Sequence, residues 1–145
     1  MSFSPPAPVT FDGSGFRIGI VAARYNAELV DALLAQVRSY LQQARVAESA
    51  IEIWRVPGSN EIPVAISGML APKTQAHHAI IGLGVLVRGD TIHYELIAES
   101  SAHALQQVAL STGVPVINGI VVAENEHQAR DRCLGPVNRG DRILE

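Results

Sequence analysis

The chain has a single cysteine, Cys133, among 145 residues. No intrachain disulfide can therefore brace it, which fits a reducing, cytoplasmic compartment. Cys133 falls on an expected helix, where a thiol packs as a small hydrophobe more readily than it acts as a nucleophile. Aromatic residues are also scarce, at 5%, and 11 basic residues face 14 acidic ones for a net charge of −3. With no stripe of Lys and Arg interleaved with aromatics, the composition argues against a nucleic-acid partner. No apolar run is long enough for a membrane-spanning helix, and Met1-Ser2-Phe3-Ser4-Pro5-Pro6-Ala7-Pro8 lacks the basic and apolar regions of a signal peptide. No Pro/Gly/Ser-rich linker or internal repeat divides the chain, so one domain is expected.

What the chain does have is an abundance of small aliphatic residues, 48% of it being apolar. That composition suits either a well-packed monomer or a subunit that buries surface against partners. Residues 1–15 read as an extended arm and 16–145 as the folded unit. Arg17 to Ala23 is an uninterrupted Ile/Val/Ala-rich strand ending at Arg24-Tyr25-Asn26, where Asn26 is placed to cap a helix. The helix carries Val30, Leu33, Leu34, Val37, Tyr40 and Leu41 at three- and four-residue spacing, with Glu28 and Asp31 near its positive end. Ile51 to Val56 is a second strand, turned by Pro57-Gly58-Ser59. Glu61 to Leu70 then forms a helix that tolerates Pro63 near its start and ends before Pro72. A third strand, Ala79 to Val87, leads to a helix from about Thr91 to Leu110 that stops at Thr112-Gly113. A fourth, Pro115 to Val122, leads past the cap candidates Glu124 and Asn125 into a short helix that Gly135-Pro136 breaks. Serial β-α units require right-handed crossovers. The expected fold is an α/β three-layer sandwich with a four-stranded parallel sheet in flavodoxin-like winding. Ligands bind such sheets outside the carboxyl ends of the strands, where Tyr25, Pro57 to Glu61, Arg88 to His93 and Ala123 to Asn125 all fall.

The third of these junctions is the most informative. In Gly84-Val85-Leu86-Val87-Arg88-Gly89-Asp90-Thr91-Ile92-His93, an apolar strand of the kind covered on both faces gives way to turn and cap residues. His93 then follows in the first helical turn. Amides at a helix start have no intrahelical partner and lie at the positive end of the dipole, so Asp90 and Thr91 can offer N–H groups to an anion. An imidazole beside a phosphate cradle suits acid–base work.

Together with Arg24-Tyr25-Asn26, Val56-Pro57-Gly58-Ser59-Asn60-Glu61-Ile62-Pro63, Gly113-Val114-Pro115-Val116, Glu124 to Arg132 and Asn138-Arg139-Gly140 in matching order, this run closely resembles the 6,7-dimethyl-8-ribityllumazine synthase family. The resemblance spans nearly everything from Phe16 to Gly140. It implies a transferase of riboflavin biosynthesis that joins 5-amino-6-(D-ribitylamino)uracil to 3,4-dihydroxy-2-butanone 4-phosphate with release of phosphate and water, using neither a metal nor an organic cofactor. It also implies a homopentamer with sites between adjacent subunits, either free or as twelve pentamers in a 60-subunit shell, and it leaves room for association with riboflavin synthase. The alternatives from the same resemblance are a non-catalytic flavin- or lumazine-binding homologue and a shell-forming one.

Residue by residue, the resemblance assigns proton transfer to His93, phosphate binding to Asp90, Thr91 and Arg132, and acceptance of ribityl hydroxyls to Glu61. Tyr25 matches the aromatic that stacks on the pyrimidine, and Asn26, Ser59, Asn60 and the strand end Val85, Leu86 and Val87 complete the substrate-binding set. Against these stand plainer readings: His93 as a surface residue, Glu61 as a dipole complement, Tyr25 as core packing and Arg132 as a solvated helix residue. Arg130, two positions from Arg132, points elsewhere, and Arg88 is open between a second phosphate ligand and a structural ion pair. Asn60 and Asn118 depart from the family, whose commoner residues there are aromatic and lie against the heterocycle. Arg139 stands where the family often has a lysine that reaches the substrate from a neighbouring subunit. The chain also stops at Glu145 where the family continues into a final amphipathic helix, so that helix is truncated or reduced. The arm around Pro5-Pro6-Ala7-Pro8 is expected to run along a neighbouring subunit, with Val9, Thr10 and Phe11 adding to its sheet.

Other motifs carry less. Adjacent His77 and His78 point apart, lack partners for a metal set and read as a solvated loop. His103 and His127 read as packing or surface residues. Gly82 and Gly84 lie inside a strand with no Gly-x-Gly-x-x-Gly run, so no nucleotide cofactor is expected.

Overall fold

The computed structural model describes residues 10–71 and 76–135. Four parallel strands, β1 (Ile18–Ala23), β2 (Ile51–Val56), β3 (Ala79–Val87) and β4 (Val116–Ala123), form one sheet in the order β2-β1-β3-β4. Parallel strands need crossovers, and helices supply them. Helices α1 (Ala27–Gln43) and α4 (Glu126–Cys133) cover one face. Helices α2 (Ile62–Met69) and α3 (His93–Thr112) cover the other. The winding runs from β1 outward to β2, then back across to β3 and on to β4. Its direction reverses between β1 and β3, where the flavodoxin-like order opens a crevice at the strands' carboxyl ends.

Each face has its own core because side chains alternate along the strands. Ile18, Ile20, Ala22, Ile81, Leu83 and Val85 pack under α1 and α4, whereas Val21, Ala23, Val56 and Ile80 pack under α2 and α3. The α1 stripe is Leu29, Val30, Leu33, Val37 and Leu41, all buried, with Leu34 and Tyr40 only partly covered. Each such side chain contributes roughly 1.5–3 kcal/mol of burial. Helix boundaries differ slightly from expectation. Ser59–Glu61 is a 3-10 turn ahead of α2, and α3 starts at His93 and runs to Thr112, where Gly113 takes the left-handed conformation (φ 71°) that ends it. Between α2 and α3 an open, largely apolar groove of about 740 Å³ is lined by Pro63, Val64, Ala104, Val108 and Leu110, and Val64 and Leu110 are more than two-thirds exposed.

Cys133 is fully buried under α1, and burial pushes its thiol up to about 11, in keeping with packing. The histidine pair requires a correction. His78 is exposed, its Nδ1 accepting from the Arg17 amide, but His77 is buried with Nε2 2.9 Å from Glu52 Oε2. The segment turns inward there because Glu52, on the α2 face of the edge strand, supplies a carboxylate for the imidazole. Residues 1–9 and 136–145, and with them Pro5 to Val9, Arg139 and the chain end, lie outside the described residues. Among the described residues no helix is long and apolar enough to cross a membrane, and no group of three or more His, Cys, Asp or Glu is placed to hold a metal ion.

Candidate active site

A half-open cleft of about 520 Å³ lies where the sheet's winding reverses, lined by Tyr25, Asn26, Pro57, Gly58, Ser59, Asn60, Glu61, Val85, Leu86, His93 and Ile97. Three chain segments converge there. The β1 end is stitched to the β2 end by Arg24 N–H to the Val56 carbonyl (2.8 Å) and Tyr25 N–H to that of Pro57 (3.0 Å). Tyr25 is thereby left on the surface, 74% exposed, so its ring forms the cleft wall and does not pack in the core.

Asn26 occupies the position before α1 as expected, but its side chain does not cap the helix. The residue sits at φ 54°, a conformation that Asn tolerates. Its Nδ2 instead donates to the Val85 carbonyl at 2.8 Å. Beyond Leu83, β3 no longer pairs with β1, so the side-chain amide takes the place of a missing ladder partner and pins the cleft floor to the first turn.

The floor depends on Gly84. Ser59 is buried directly above it, and a Cβ on residue 84 would lie 2.3 Å from Ser59 Oγ. The absent side chain lets the Ser59–Glu61 turn sink onto β3, which holds Asn60 and Glu61 at the cleft. Glu61 Oε2 accepts from the Gly58 N–H at 2.9 Å, which closes this turn at the cleft lining. Glu61 is half-buried, Asn60 exposed.

His93, the first residue of α3, lies at the opposite wall and is exposed. Ile97, one turn later on the same helical face, is the lining residue that the sequence reading missed. The signal was its four-residue spacing from His93. The turn that precedes His93 is exposed throughout, from Arg88 to Ile92, and within it Thr91 Oγ1 accepts a long bond (3.4 Å) from the His93 N–H. Arg88 resolves as an ion pair, Nη1 donating to Glu124 Oε2 at 2.9 Å, and the hydrogen bond to Glu124 raises its pKa. The buried Tyr94 hydroxyl donates toward Glu95 (3.0 Å) and Glu124 (3.4 Å). Burial, then the Glu95 contact, pushes its pKa up.

The chain does not bring every candidate together. Val87, Asp90 and Thr91 lie beside the cleft without lining it. Asn118 is exposed in the middle of the edge strand β4, opposite Gly82, with Oδ1 accepting from the Ile120 N–H. Arg132 is in the last turn of α4, a helix that packs on the α1 face of the sheet. The two α4 arginines differ as expected. Arg130 is committed to Glu28 through two bonds of 2.8 and 3.2 Å, which also hold the Glu28 carboxyl below its usual range. Among the described residues Arg132 makes only a long bond, to the Gln128 carbonyl (3.4 Å).

Comparison with known proteins adds an independent line. The family model described as 6,7-dimethyl-8-ribityllumazine synthase matches residues 15–145. Proteins named 6,7-dimethyl-8-ribityllumazine synthase from three organisms are similar. The one from Thermobifida fusca is 38% identical over 136 residues, 94% of this chain and 76% of that protein. The one from Xanthomonas oryzae pv. oryzae is 44% identical over 119 residues, 82% of this chain and 76% of its own. The one from Pyricularia oryzae is 35% identical over 162 residues, 88% of this chain and 81% of its own.

Proposed function

The chain belongs to the 6,7-dimethyl-8-ribityllumazine synthase family, and from that membership we propose that it condenses 5-amino-6-(D-ribitylamino)uracil with 3,4-dihydroxy-2-butanone 4-phosphate in riboflavin biosynthesis. The single observation that carries the reading within this chain is the convergence of Tyr25, Glu61 and His93 on one cleft at the reversal of the sheet. The three residues supply an aromatic face, a hydroxyl acceptor and a proton carrier, which are the three things the substrates require.

In this reading the pyrimidine lies against Tyr25, with backbone at Ser59 and Asn60 meeting its polar edge. The ribityl chain runs toward Glu61, whose Oε2 is held by Gly58 while Oε1 accepts hydroxyls. The phosphorylated ketone sits at the mouth, its phosphate on the Asp90 and Thr91 amides. The amine of the pyrimidine attacks the ketone carbonyl and a first water leaves as the imine forms. Phosphate is then eliminated, the resulting enol becomes a carbonyl, and the ribitylamino nitrogen attacks that carbonyl and closes the second ring with loss of a second water. His93 carries protons between nitrogen and leaving oxygens. Most of the acceleration comes from holding two substrates in register, a gain of several kcal/mol in well-oriented reactions.

Asn118 and Arg132 stand away from the cleft of their own chain, so we assign them, with Arg139, to the cleft of an adjacent copy. That assignment goes with a homopentamer, alone or within a 60-subunit shell, and with docking of riboflavin synthase. The exposed apolar groove at Val64 and Leu110 supports burial against a copy. A reducing cytoplasm fits the single buried thiol. The decisive experiment is turnover with both substrates, read by the absorbance of the product and by released phosphate. Absence of product with correctly assembled protein would overturn the reading, and sedimentation reads the assembly.

A further inference from the structure

The turn Arg88–Ile92 must hold two amides and His93 in fixed positions, yet little of its own structure does so. All its residues are exposed, a Cβ at Gly89 would touch nothing within 4 Å, and Ile92, the residue before α3, provides no side-chain cap. What fixes the turn lies outside it. At its start, the Arg88 amide donates to the Ala123 carbonyl at 2.9 Å, and the Arg88 guanidinium donates to Glu124 Oε2 at 2.9 Å. At its far side, the hydroxyl of the buried Tyr94 shares its proton between Glu95 Oε1 and the other oxygen of Glu124, at 3.0 and 3.4 Å. One carboxylate therefore bridges the residues that bracket the turn. Glu124 is itself seated on α4: its amide donates to Gln128 Oε1 (3.0 Å), and Asn125 Oδ1 caps the helix on the Gln128 amide (2.9 Å).

We propose that Glu124 is a positioning residue, a clamp that spans the anion turn, sets His93 and the Asp90 and Thr91 amides at the mouth of the cleft, and keeps Arg88 from closing on the anion directly. The inference rests on the reading above that this turn takes the substrate phosphate. The Arg88 and Glu124 side chains are 58% and 55% exposed. A pair so solvated adds little to folding stability, so its consequence is expected in geometry and not in melting temperature.

The clamp makes a prediction whose sign is opposite to simple electrostatics. Removing a carboxylate near an anion site, and freeing an arginine beside it, should tighten anion binding if only charge matters. If Glu124 positions the turn, binding weakens. The test uses the full chain and inorganic phosphate as the probe, measured as an inhibitor competing with the phosphorylated ketone. Glu124→Ala is expected to weaken phosphate inhibition and lower kcat, each by about tenfold, the scale at which sub-ångström misplacement is felt. The pH profile of kcat should be displaced, pyrimidine binding by calorimetry should be unchanged, and Tm nearly so. Glu124→Gln, which can accept at one oxygen only, and Tyr94→Phe, which deletes one hydroxyl, should each show a smaller loss in the same direction. Tighter or unchanged phosphate inhibition in Glu124→Ala and Glu124→Gln overturns the clamp. Thr91→Pro, which removes a turn amide, separates this from failure of the underlying reading. If it leaves phosphate inhibition intact, the turn is not the anion site. If it abolishes inhibition while the Glu124 variants do not alter it, only the clamp falls.

Discussion

Adding one carbon at Gly84 should damage both the fold and the cleft, and a second substitution should repair much of the harm. In Gly84→Ala the new Cβ would stand 2.3 Å from Ser59 Oγ and 3.3 Å from Ser59 Cβ and Ile62 Cδ1. Strand β3 cannot easily yield, since Leu83 pairs with Ala22 and residue 84 pairs with Ile120. Ser59 must therefore retreat by about 1 Å to reach ordinary contact distance. Overpacking of this kind costs roughly 1–3 kcal/mol, against which replacing glycine inside a strand returns about 0.5–1 kcal/mol. The net loss, centred on about 1 kcal/mol within roughly 0–2.5 kcal/mol, corresponds to a Tm lower by about 2–4 °C for a domain of this size. Because Asn60 and Glu61 follow Ser59 in the same turn, the displacement is carried into the cleft. A misplacement on the order of 1 Å costs up to about a hundredfold in kcat/KM. Ser59→Ala removes the clashing oxygen, so the double variant should regain most of the lost Tm and activity. Differential scanning calorimetry and steady-state kinetics on the four proteins of this cycle decide it. If Gly84→Ala melts at or above the wild-type temperature, or if Ser59→Ala does not relieve it, the close approach of strand and turn does not organise the cleft.

The remaining predictions concern chemistry and the buried thiol. His93→Ala should fold normally and lower kcat by roughly a hundredfold or more through loss of proton transfer, and unchanged turnover would remove His93 from the mechanism. Arg132→Ala should raise KM for the phosphorylated ketone with a much smaller effect on pyrimidine affinity, whereas equal losses for both substrates would contradict the assignment of Arg132 to the phosphate. Restoring aromatics as Asn60→Phe and Asn118→Phe should tighten pyrimidine binding in calorimetry by adding apolar contact; weaker binding in both would mean the asparagines belong to a repacked site. For Cys133, whose folded pKa is pushed up to about 11 from 9.0, the thiol of the unfolded chain ionises first as pH rises. Stability should therefore fall between about pH 9 and 11 and then level off, and the fall should be smaller in Cys133→Ala when urea midpoints are compared across that range.

The sequence by itself determined the order of elements, the parallel sheet and which chain segments meet at its rim. Uninterrupted apolar runs of strand length, helical stripes between them and turn residues at each junction leave few ways to fold, and strand polarity sends all the β-α junctions to one edge of the sheet. The motifs Arg24-Tyr25-Asn26, Val56 to Pro63 and Gly84 to His93 were readable because each is continuous in the chain. What only the tertiary structure decided were matters of contact between distant segments. Asn26 was expected to cap α1, but Val85, far along the chain, offered its side chain a carbonyl. His77 was expected in solvent, yet Glu52 on β2, across β1 from the start of β3, drew it inside. Arg88 stood open between anion and ion pair until the β4–α4 junction placed Glu124 against it. Asn118 and Arg132 shared a motif-level assignment with the rim residues, and only packing put one on β4, the edge strand of the described sheet, and the other on the opposite face of the sheet. Local patterning sets which way a backbone runs and which face is apolar. The partner of a polar side chain is chosen by whichever donor or acceptor the folded sheet brings within about 3 Å, and that choice is not written in any single stretch of sequence.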